Sequence, residues 1–193
     1  MAYLIAALSI VVVAYFGWKL TSRNAYESAE YNLIESDGPF ELREYPDLML
    51  VTTSSSFKSQ GNDGSFGRLF RYISGGNESD QKVAMTTPVF MEPENPDTDG
   101  QMGFVIPKKI AAESVPTPSN ANVQIQTRSG GRFAVLRFAG RMNEATQDNS
   151  KAKLREWMDS KGLKGSDSIE FAGYDPPWTP GPLRRNEILI RLN

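Results

Sequence analysis

The sequence predicts an α+β domain made of two similar halves, preceded by an N-terminal transmembrane helix. Each half shows the same order of elements: strand, strand, helix, strand, strand. Apolar residues alternate along the strands and recur at i, i+3, i+4 and i+7 along the helix. One short helix cannot cover the sheet of its own half, so we expect the halves to share one core. The predicted architecture is two pseudo-symmetric ββαββ units that form an eight-stranded distorted β-barrel or sheet with two helices.

The first half begins with two predicted strands, one with Phe40 and Leu42 and one over residues 48–56, joined by a turn at Pro46-Asp47. This pattern is typical of a hairpin. The helix that follows is expected to start at Asn62 or Asp63 as its cap and to end at two glycines. Its apolar stripe consists of Phe66, Leu69, Phe70 and Ile73.

Residues 82–89, which read KVAMTTPV, predict a buried strand because they are apolar, β-branched and small. Pro88 lacks an N–H, so the strand must end, bulge or lie at an edge there. A loop with Pro93, Pro96 and Gly100 follows, and residues 102–106 complete the first half.

The second half repeats this order. Val123 and Ile125 alternate with polar residues, Gly130-Gly131 is expected to form a hairpin turn, and residues 133–138 return. A helix is predicted over residues 143–161, and Gly162 ends it. The remaining features are a strand over residues 168–174, a proline-rich loop that contains Trp178, and a last strand with Ile188, Ile190 and Leu192.

The N-terminus predicts a membrane segment. Residues 2–18 contain no charged side chain and would reach about 26 Å as a helix. We therefore divide the chain into an anchor (residues 1–20), a polar tether (21–30) and a folded domain (31–193). Lys19 and Arg23 follow the apolar run, which favours a single-pass protein whose domain faces the cytoplasm. A cleaved signal peptide remains the alternative.

Composition excludes several function classes. The chain has 21 basic and 23 acidic residues and no basic block, so nucleic acid is not an expected partner. It contains no cysteine and no histidine, which excludes disulfides, thiol catalysis, Ser-His-Asp triads and the usual zinc and iron–sulfur sites. No catalytic constellation is visible, so we do not expect an enzyme. Asn77-Glu78-Ser79 matches a glycosylation sequon.

An ordered set of short matches covers about residues 31–192. It consists of YNLI at 31–34, GPFELREY at 38–45, Tyr72-Ile73 with Gly76-Asn77, KVAMTTPV at 82–89, Pro116 and Pro118, the strand at 133–140, GYDPP at 173–177 and RRNE at 184–187. On these residues the chain resembles the SOUL, or haem-binding protein, family. The family fold, two pseudo-symmetric ββαββ halves around a distorted barrel, agrees with the repeat described above.

The resemblance implies a binder of haem or free porphyrin with a shallow apolar site beside the first helix. Phe66, Leu69 and Phe70 would supply the apolar surface, Arg71 would meet a propionate, and Trp178 would close the other side. The same apolar stripe is also what the helix needs merely to be buried. Both interpretations of the stripe therefore stay open at this point.

Two positions depart from the family pattern. Some members carry a histidine, a proposed iron ligand, where this chain has Glu44, and some carry a lysine near the propionates where it has Thr179. A bound haem iron would have to use Met, Tyr, a carboxylate, water or no protein ligand. The predicted function is a membrane-anchored, non-enzymatic binder of haem or another tetrapyrrole without histidine ligation. The alternative is a binding or scaffold module for another hydrophobic ligand or a protein partner.

Overall fold

The computed structural model describes residues 26–56, 63–95, 99–176 and 179–193. The strands are β1 (Glu27–Ser28), β2 (Asn32–Asp37), β3 (Phe40–Tyr45), β4 (Leu48–Ser54), β5 (Thr86–Thr87), β6 (Val89–Glu92), β7 (Gln101–Val105), β8 (Gln124–Arg128), β9 (Gly131–Ala139), β10 (Glu170–Gly173) and β11 (Arg185–Arg191). The helices are α1 (Ser65–Ile73), α2 (Lys108–Glu113) and α3 (Glu144–Ser160), with a 3₁₀ turn at Gly181–Leu183.

Nine of these strands form one curled antiparallel sheet in the order β2-β3-β9-β11-β10-β6-β7-β4-β8. β1 and β5 form a separate parallel pair. The order is symmetric about the central β10–β6 pair: β11, β9 and β3 on one side correspond to β7, β4 and β8 on the other. The predicted α+β class is confirmed. The described residues form eleven strands and three helices rather than the expected eight and two. The differences are that β1 and β2 were not predicted, that the strand expected over residues 82–89 is divided into β5 and β6, and that α2 adds a third helix.

The two predicted hairpins, β3–β4 and β8–β9, were wrong. β3 pairs with β2 and β9, whereas β4 pairs with β7 and β8. Both short connections therefore cross from one half of the sheet to the other, and they touch where they cross. Asp47 Oδ1 accepts a hydrogen bond from the Gly130 N–H at 2.7 Å, and a Cβ at position 130 would lie 2.5 Å from the Tyr45 carbonyl oxygen. Long-range pairing thus joins the halves into one sheet.

Polar side chains near the start of both longer helices accept hydrogen bonds from backbone N–H groups. Asp63 accepts hydrogen bonds from the N–H groups of Ser65 (2.9 Å) and Ser56 (2.7 Å). Burial works against its charge, but these hydrogen bonds outweigh burial and lower the pKa of Asp63 to about 2. Asn143 caps α3 and exchanges hydrogen bonds of 3.0 Å with Thr146 in a capping box. The predicted start of α3 at Asn143 is confirmed. The cap expected for α1 at Asp63 was wrong, because α1 begins at Ser65 with Gly64 as its N-cap; Asn62, the other expected cap, lies outside the described residues.

The predicted strand over residues 82–89 is shorter than expected. Thr86–Thr87 forms β5, and Pro88 separates it from β6, which begins at Val89. The N–H of Val83 donates instead to the carbonyl of Ile73 at 2.8 Å, so Val83 is hydrogen-bonded to the C-terminal end of α1 rather than to a neighbouring strand. The local sequence pattern did not reveal this hydrogen bond, because its acceptor lies at the end of a helix and not in a strand.

The sequon asparagine has a structural role. Asn77 is only 3% exposed, and its Nδ2 donates to the carbonyls of Tyr72 (3.1 Å) and Gln81 (2.8 Å). An amide nitrogen engaged in this way inside the fold is not accessible for glycosylation.

Apolar residues cover the face of the sheet under α1 and α3, while the opposite face, called the inner face below, contains buried charges. Arg43 of β3 and Glu187 of β11 are both 0% exposed, and they form a bidentate pair with distances of 2.7 and 2.9 Å. Glu187 also accepts from the hydroxyl of Tyr174 at 2.8 Å and from Arg185 at 2.5 Å. Burial opposes ionisation of Glu187, but the hydrogen bonds and charges of Arg43 and Arg185 outweigh burial and hold its pKa below the ordinary value.

The predicted membrane localisation is corrected. Within the described ranges, none of the helices combines the length and the apolar character that a membrane span requires. This finding overturns the expectation of a single-pass membrane protein with its domain facing the cytoplasm. Residues 2–18, on which that expectation was based, lie outside the described residues.

Replacing Glu187 with Gln is expected to lower the free energy of unfolding by about 3–5 kcal/mol, because it leaves Arg43 buried without its charge partner. The pKa of Glu187 is depressed in the fold, so its contribution is present above about pH 4.5 and is lost as the pH falls through the folded-state pKa. Urea unfolding between pH 3 and pH 7 measures both effects.

The matched control is Glu35→Gln, which breaks the exposed pair of Glu35 with Lys161 (2.7 Å) and is expected to cost less than about 1 kcal/mol. Equal losses in the two variants, or an unchanged pH dependence in Glu187→Gln, would contradict the assignment of the buried pair.

Candidate functional site

A small apolar groove lies where α1 meets one end of the central β6–β10 pair, at which Val89 is in register with Gly173. Its volume is about 120 Å³. The described residues that line it are Tyr26, Phe66, Phe70, Met85, Thr87, Val89, Gly173, Tyr174, Asp175 and Pro176. These residues come from both halves of the sheet, so the groove is a product of the long-range pairing.

The α1 side of the groove is a stacked pair of phenylalanines, called the Phe66–Phe70 ridge below. The two rings are nearly parallel, with centroids 6.1 Å apart and an angle of 13°. Phe66 also meets the buried ring of Phe104 at 5.2 Å in an edge-to-face contact. Phe70 is 52% exposed. Phe66 thus anchors the ridge to the core, and Phe70 presents aromatic surface to solvent.

Tyr174, another residue of the groove lining, is held in place by charged residues of the inner face. Its hydroxyl donates to Glu187. The guanidinium of Arg185 lies 4.1 Å from the centre of the Tyr174 ring. The neighbouring Asp175 accepts the backbone N–H of Arg185 at 2.6 Å. Burial, with a smaller contribution from Glu187, raises the pKa of Tyr174 well above its ordinary value, so its hydroxyl remains a donor.

The structure brings together only some of the predicted site residues. Phe66 and Phe70 line the groove, but Leu69 is 0% exposed and packs in the core under α1, so its side chain supports the ridge from below. Arg71 is exposed and is not among the described lining residues; its side-chain stem lies beside Gly76. Trp178 lies outside the described residues, two positions after the groove residue Pro176.

Sequence reasoning missed eight of the ten described residues that line the groove, namely Tyr26, Met85, Thr87, Val89, Gly173, Tyr174, Asp175 and Pro176. Met85 belongs to the distinctive KVAMTTPV stretch, and Tyr174-Asp175 belongs to the GYDPP match, so both motifs carried a signal. Tyr26 carried none, because it falls in the stretch assigned to the polar tether.

A second, larger cleft of about 990 Å³ lies between the β1 segment, the β3–β4 corner and α2. Its border is acidic, with Glu27, Glu30, Glu44 and Asp47, and Lys108 forms an ion pair with Glu30 across it. Glu44 is the position at which the family resemblance places a histidine in some members.

The larger cleft has volume but offers little open aromatic surface. Among its described lining residues, Tyr45 is buried, and the ring of Tyr31 is covered by the guanidinium of Arg43 at 4.1 Å. A flat aromatic guest stacks on an exposed ring face, so the smaller groove is the better candidate site.

The groove is better suited to contact with the flat face of a porphyrin than to coordination of a metal bound in it. The described lining offers only the Met85 thioether and the oxygens of tyrosine, threonine and aspartate as ligand atoms. Among the described residues, no group of three or more His, Cys, Asp or Glu side chains could hold a metal ion. Histidine and cysteine are missing from the sequence itself.

Comparison with known proteins gives a consistent result. A family model described as "SOUL heme-binding protein" matches residues 26–191. The chain is 32% identical over 168 residues to heme-binding protein 1 of Xenopus laevis, a match that covers 82% of this chain and 87% of the relative. It is 29% identical over 129 residues to heme-binding protein 1 of Bos taurus, which covers 64% and 66% of the two chains.

Solved structures show likeness in fold alone. The EcmrR C-terminal domain aligns with a TM-score of 0.56 at 14% identity, covering 84% of this chain and 98% of that one. A structure titled as a hydrolase from Listeria innocua aligns with a TM-score of 0.55 at 10% identity, covering 83% and 94%.

Alanine substitutions should distinguish the role of Phe66, which anchors the ridge to the core, from that of Phe70, which presents aromatic surface to solvent. Phe66→Ala is expected to lower the free energy of unfolding by about 2 kcal/mol or more, because Phe66 lies between Phe70 and the buried Phe104. Phe70→Ala is expected to cost less than about 1 kcal/mol, because half of its side chain is already in water.

Urea unfolding measures both variants. Leu33→Ala is the control, because Leu33 is 54% exposed on the edge strand β2, far from α1 in the sheet order. A loss for Phe70→Ala as large as that for Phe66→Ala would contradict an exposed ridge.

Proposed function

The chain belongs to the SOUL heme-binding protein family, and on that premise we propose that it binds haem or another tetrapyrrole with one porphyrin face against the Phe66–Phe70 ridge. The family supports tetrapyrrole binding in general. The observation that carries the choice of site is the ridge itself, in which an exposed ring is held parallel to an anchored one beside an apolar groove.

Stacking on the ridge supplies the binding energy. A porphyrin is a flat apolar disc, and aromatic stacking contributes about 0.5–1.5 kcal/mol beyond the burial of area. The groove of about 120 Å³ is smaller than the roughly 300–1,000 Å³ of pockets that enclose a ligand. The disc therefore lies in the groove at one edge and leaves its other face in solvent. Such an open site favours an affinity of about micromolar rather than tighter binding.

The iron of haem is not needed for this mode of binding. A chain without histidine or cysteine cannot hold haem through the most common protein ligands. When bound, haem would supply a redox-active iron, and Met85 is the described lining residue with a sulfur that could serve as a ligand. The chain's own residues bind and orient the ring and perform no chemistry on it. We therefore propose a non-enzymatic binder that buffers a tetrapyrrole or hands it on.

A second candidate function has one observation in its favour. The cleft of about 990 Å³ has the volume to take a ligand without an exposed aromatic face. A binding or scaffold module for another hydrophobic ligand or a protein partner would use that cleft. Mass spectrometry of co-purifying small molecules distinguishes the two functions, because a non-porphyrin ligand at stoichiometric amount favours the second.

Titration with haemin and with metal-free protoporphyrin IX, side by side, tests the proposed function. Both are expected to bind at about micromolar concentration, with dissociation constants within about threefold of each other, because the ring face rather than the iron makes the contact. Tryptophan quenching and the shift of the Soret band measure binding.

Phe70→Ala is expected to weaken both ligands by about tenfold, whereas Leu33→Ala, with a similar exposed fraction, leaves them unchanged. If neither porphyrin binds, the proposed function is wrong. Binding of haemin alone would contradict face stacking and indicate iron ligation.

A further inference from the structure

We propose that the larger cleft regulates the groove, because buried side chains connect the two sites and couple a change at the cleft to the affinity of the groove. This coupling adds a regulatory site to the proposed function and therefore rests on it. Two features of the structure support it. One is a path of buried hydrogen bonds from the cleft lining to the groove lining, and the other is a two-stranded wall that both sites share.

The hydrogen-bond path runs through four buried residues and is called the Tyr45–Tyr174 path below. Tyr45 lines the larger cleft, and its hydroxyl oxygen accepts a hydrogen bond from Nη1 of Arg43 at 2.9 Å. The same Nη1 donates to Oε2 of Glu187 at 2.7 Å. This Oε2 also accepts from the hydroxyl of Tyr174, which lines the groove, at 2.8 Å. Consecutive hydrogen bonds thus connect the linings of the two sites.

The geometry of Arg43 makes the hydrogen bonds of this path depend on one another. A guanidinium is planar and its N–H groups point in fixed directions, so Nη1 cannot turn toward one acceptor without turning away from the other. Arg43 is 0% exposed, and removal of the Tyr45 oxygen takes an acceptor away from one of its buried N–H groups. Any movement of the guanidinium toward another acceptor changes its two bonds to Glu187, the carboxylate that also fixes the hydroxyl of Tyr174.

The β1–β5 pair forms the wall between the two sites. In the segment that enters β1, Tyr26 lines the groove and the next residue, Glu27, lines the cleft. In β5, Thr87 lines the groove, whereas Thr86 lines the cleft and is in register with Glu27. The hydroxyl of Thr86 donates to the carbonyl of Val105, another cleft residue, at 2.6 Å. A shift of this wall therefore changes the shape of both sites.

Coupling between two binding sites acts with the same factor in both directions. A ligand in the cleft that moves Tyr45 away from Arg43 is expected to weaken the binding of a porphyrin in the groove, and a bound porphyrin weakens that ligand equally. The hydrophobic ligand of the second candidate function then becomes an effector that promotes release of the tetrapyrrole. The two candidate sites thus belong to one regulated binder.

Replacing tyrosine with phenylalanine tests the coupling in the full chain, with protoporphyrin IX as the ligand. Tyr45→Phe removes the cleft end of the Tyr45–Tyr174 path and is expected to raise the dissociation constant about threefold or more, although Tyr45 is not among the described residues of the groove lining. Tyr174→Phe removes the groove end of the path. Because one substitution already interrupts the path, the double variant is expected to bind within about twofold of Tyr174→Phe.

Tyr31→Phe is the matched control. Tyr31 also lines the cleft, but among the described residues its hydroxyl makes no hydrogen bond to the Tyr45–Tyr174 path. Phenylalanine keeps the ring and its contact with Arg43 at 4.1 Å, so the dissociation constant is expected to change less than about twofold. Weaker binding by Tyr45→Phe alone, with a non-additive double variant, supports the coupling. Equal effects of Tyr45→Phe and Tyr31→Phe, or multiplied effects in the double variant, overturn it while the proposed function stands.

The methyl resonance of Met85 provides a second measurement that needs no ligand, because Met85 lines the groove together with Tyr174. In the free protein, Tyr45→Phe is expected to shift this resonance and Tyr31→Phe to leave it in place. The methyl of Met158, buried in the core under α3, verifies that both variants are folded. If the wild-type protein binds no porphyrin, the proposed function fails and these spectra alone decide the coupling. A Met85 shift that is absent from both variants, or equal in both, overturns it.

Discussion

The buried pair of Arg43 and Glu187 is the constraint on which the rest of the structure depends. It joins β3 to β11 across β9, and a charge buried without its partner destabilises a fold by several kcal/mol. The same carboxylate fixes the hydroxyl of Tyr174 and the guanidinium of Arg185. This one carboxylate therefore connects β3, β11 and Tyr174 on the inner face, and Tyr174 is also part of the groove lining.

The division of charges between the two faces explains where a ligand can lie. On the inner face, Glu187 accepts hydrogen bonds from Arg43, Tyr174 and Arg185 beside a cluster of buried apolar residues, while the helix-covered face is apolar. The buried Nη1 and Nη2 of Arg128 have no hydrogen-bond partner among the described residues, and this guanidinium lies 4.4 Å from the centre of the Phe133 ring. The groove lies at the end of β6 and β10, where the two halves of the sheet meet and α1 leaves one ring exposed. Binding sites between repeated units are common because neither unit closes that border alone. The Phe66–Phe70 ridge thus follows from the fold rather than from an added loop.

Local pattern in the sequence predicted the two longer helices, most strands and the shared helix face of Phe66 and Phe70, but not α2 or the partners of the strands. The spacing of Phe66 and Phe70 placed them on one face of α1, but it could not predict that Leu69 is buried and Phe70 exposed. In β3, Phe40 and Leu42 suggested the buried side, whereas Glu41, Arg43 and Tyr45 are the more deeply buried residues. Their partners, Glu187 above all, are far away in the chain. A charge pair of this kind becomes visible only when the long-range register is known.

Methionine methyl resonances test the central claim, that the guest lies on the ridge, most directly. Met85 lines the groove and Met49 lines the larger cleft, so each site has its own reporter. With ¹³C-methyl methionine labelling and diamagnetic, metal-free porphyrin, the ring current of the bound disc should shift the Met85 methyl and leave Met49 in place. A shift of Met49 without one of Met85 would contradict the account and assign the ligand to the acidic cleft.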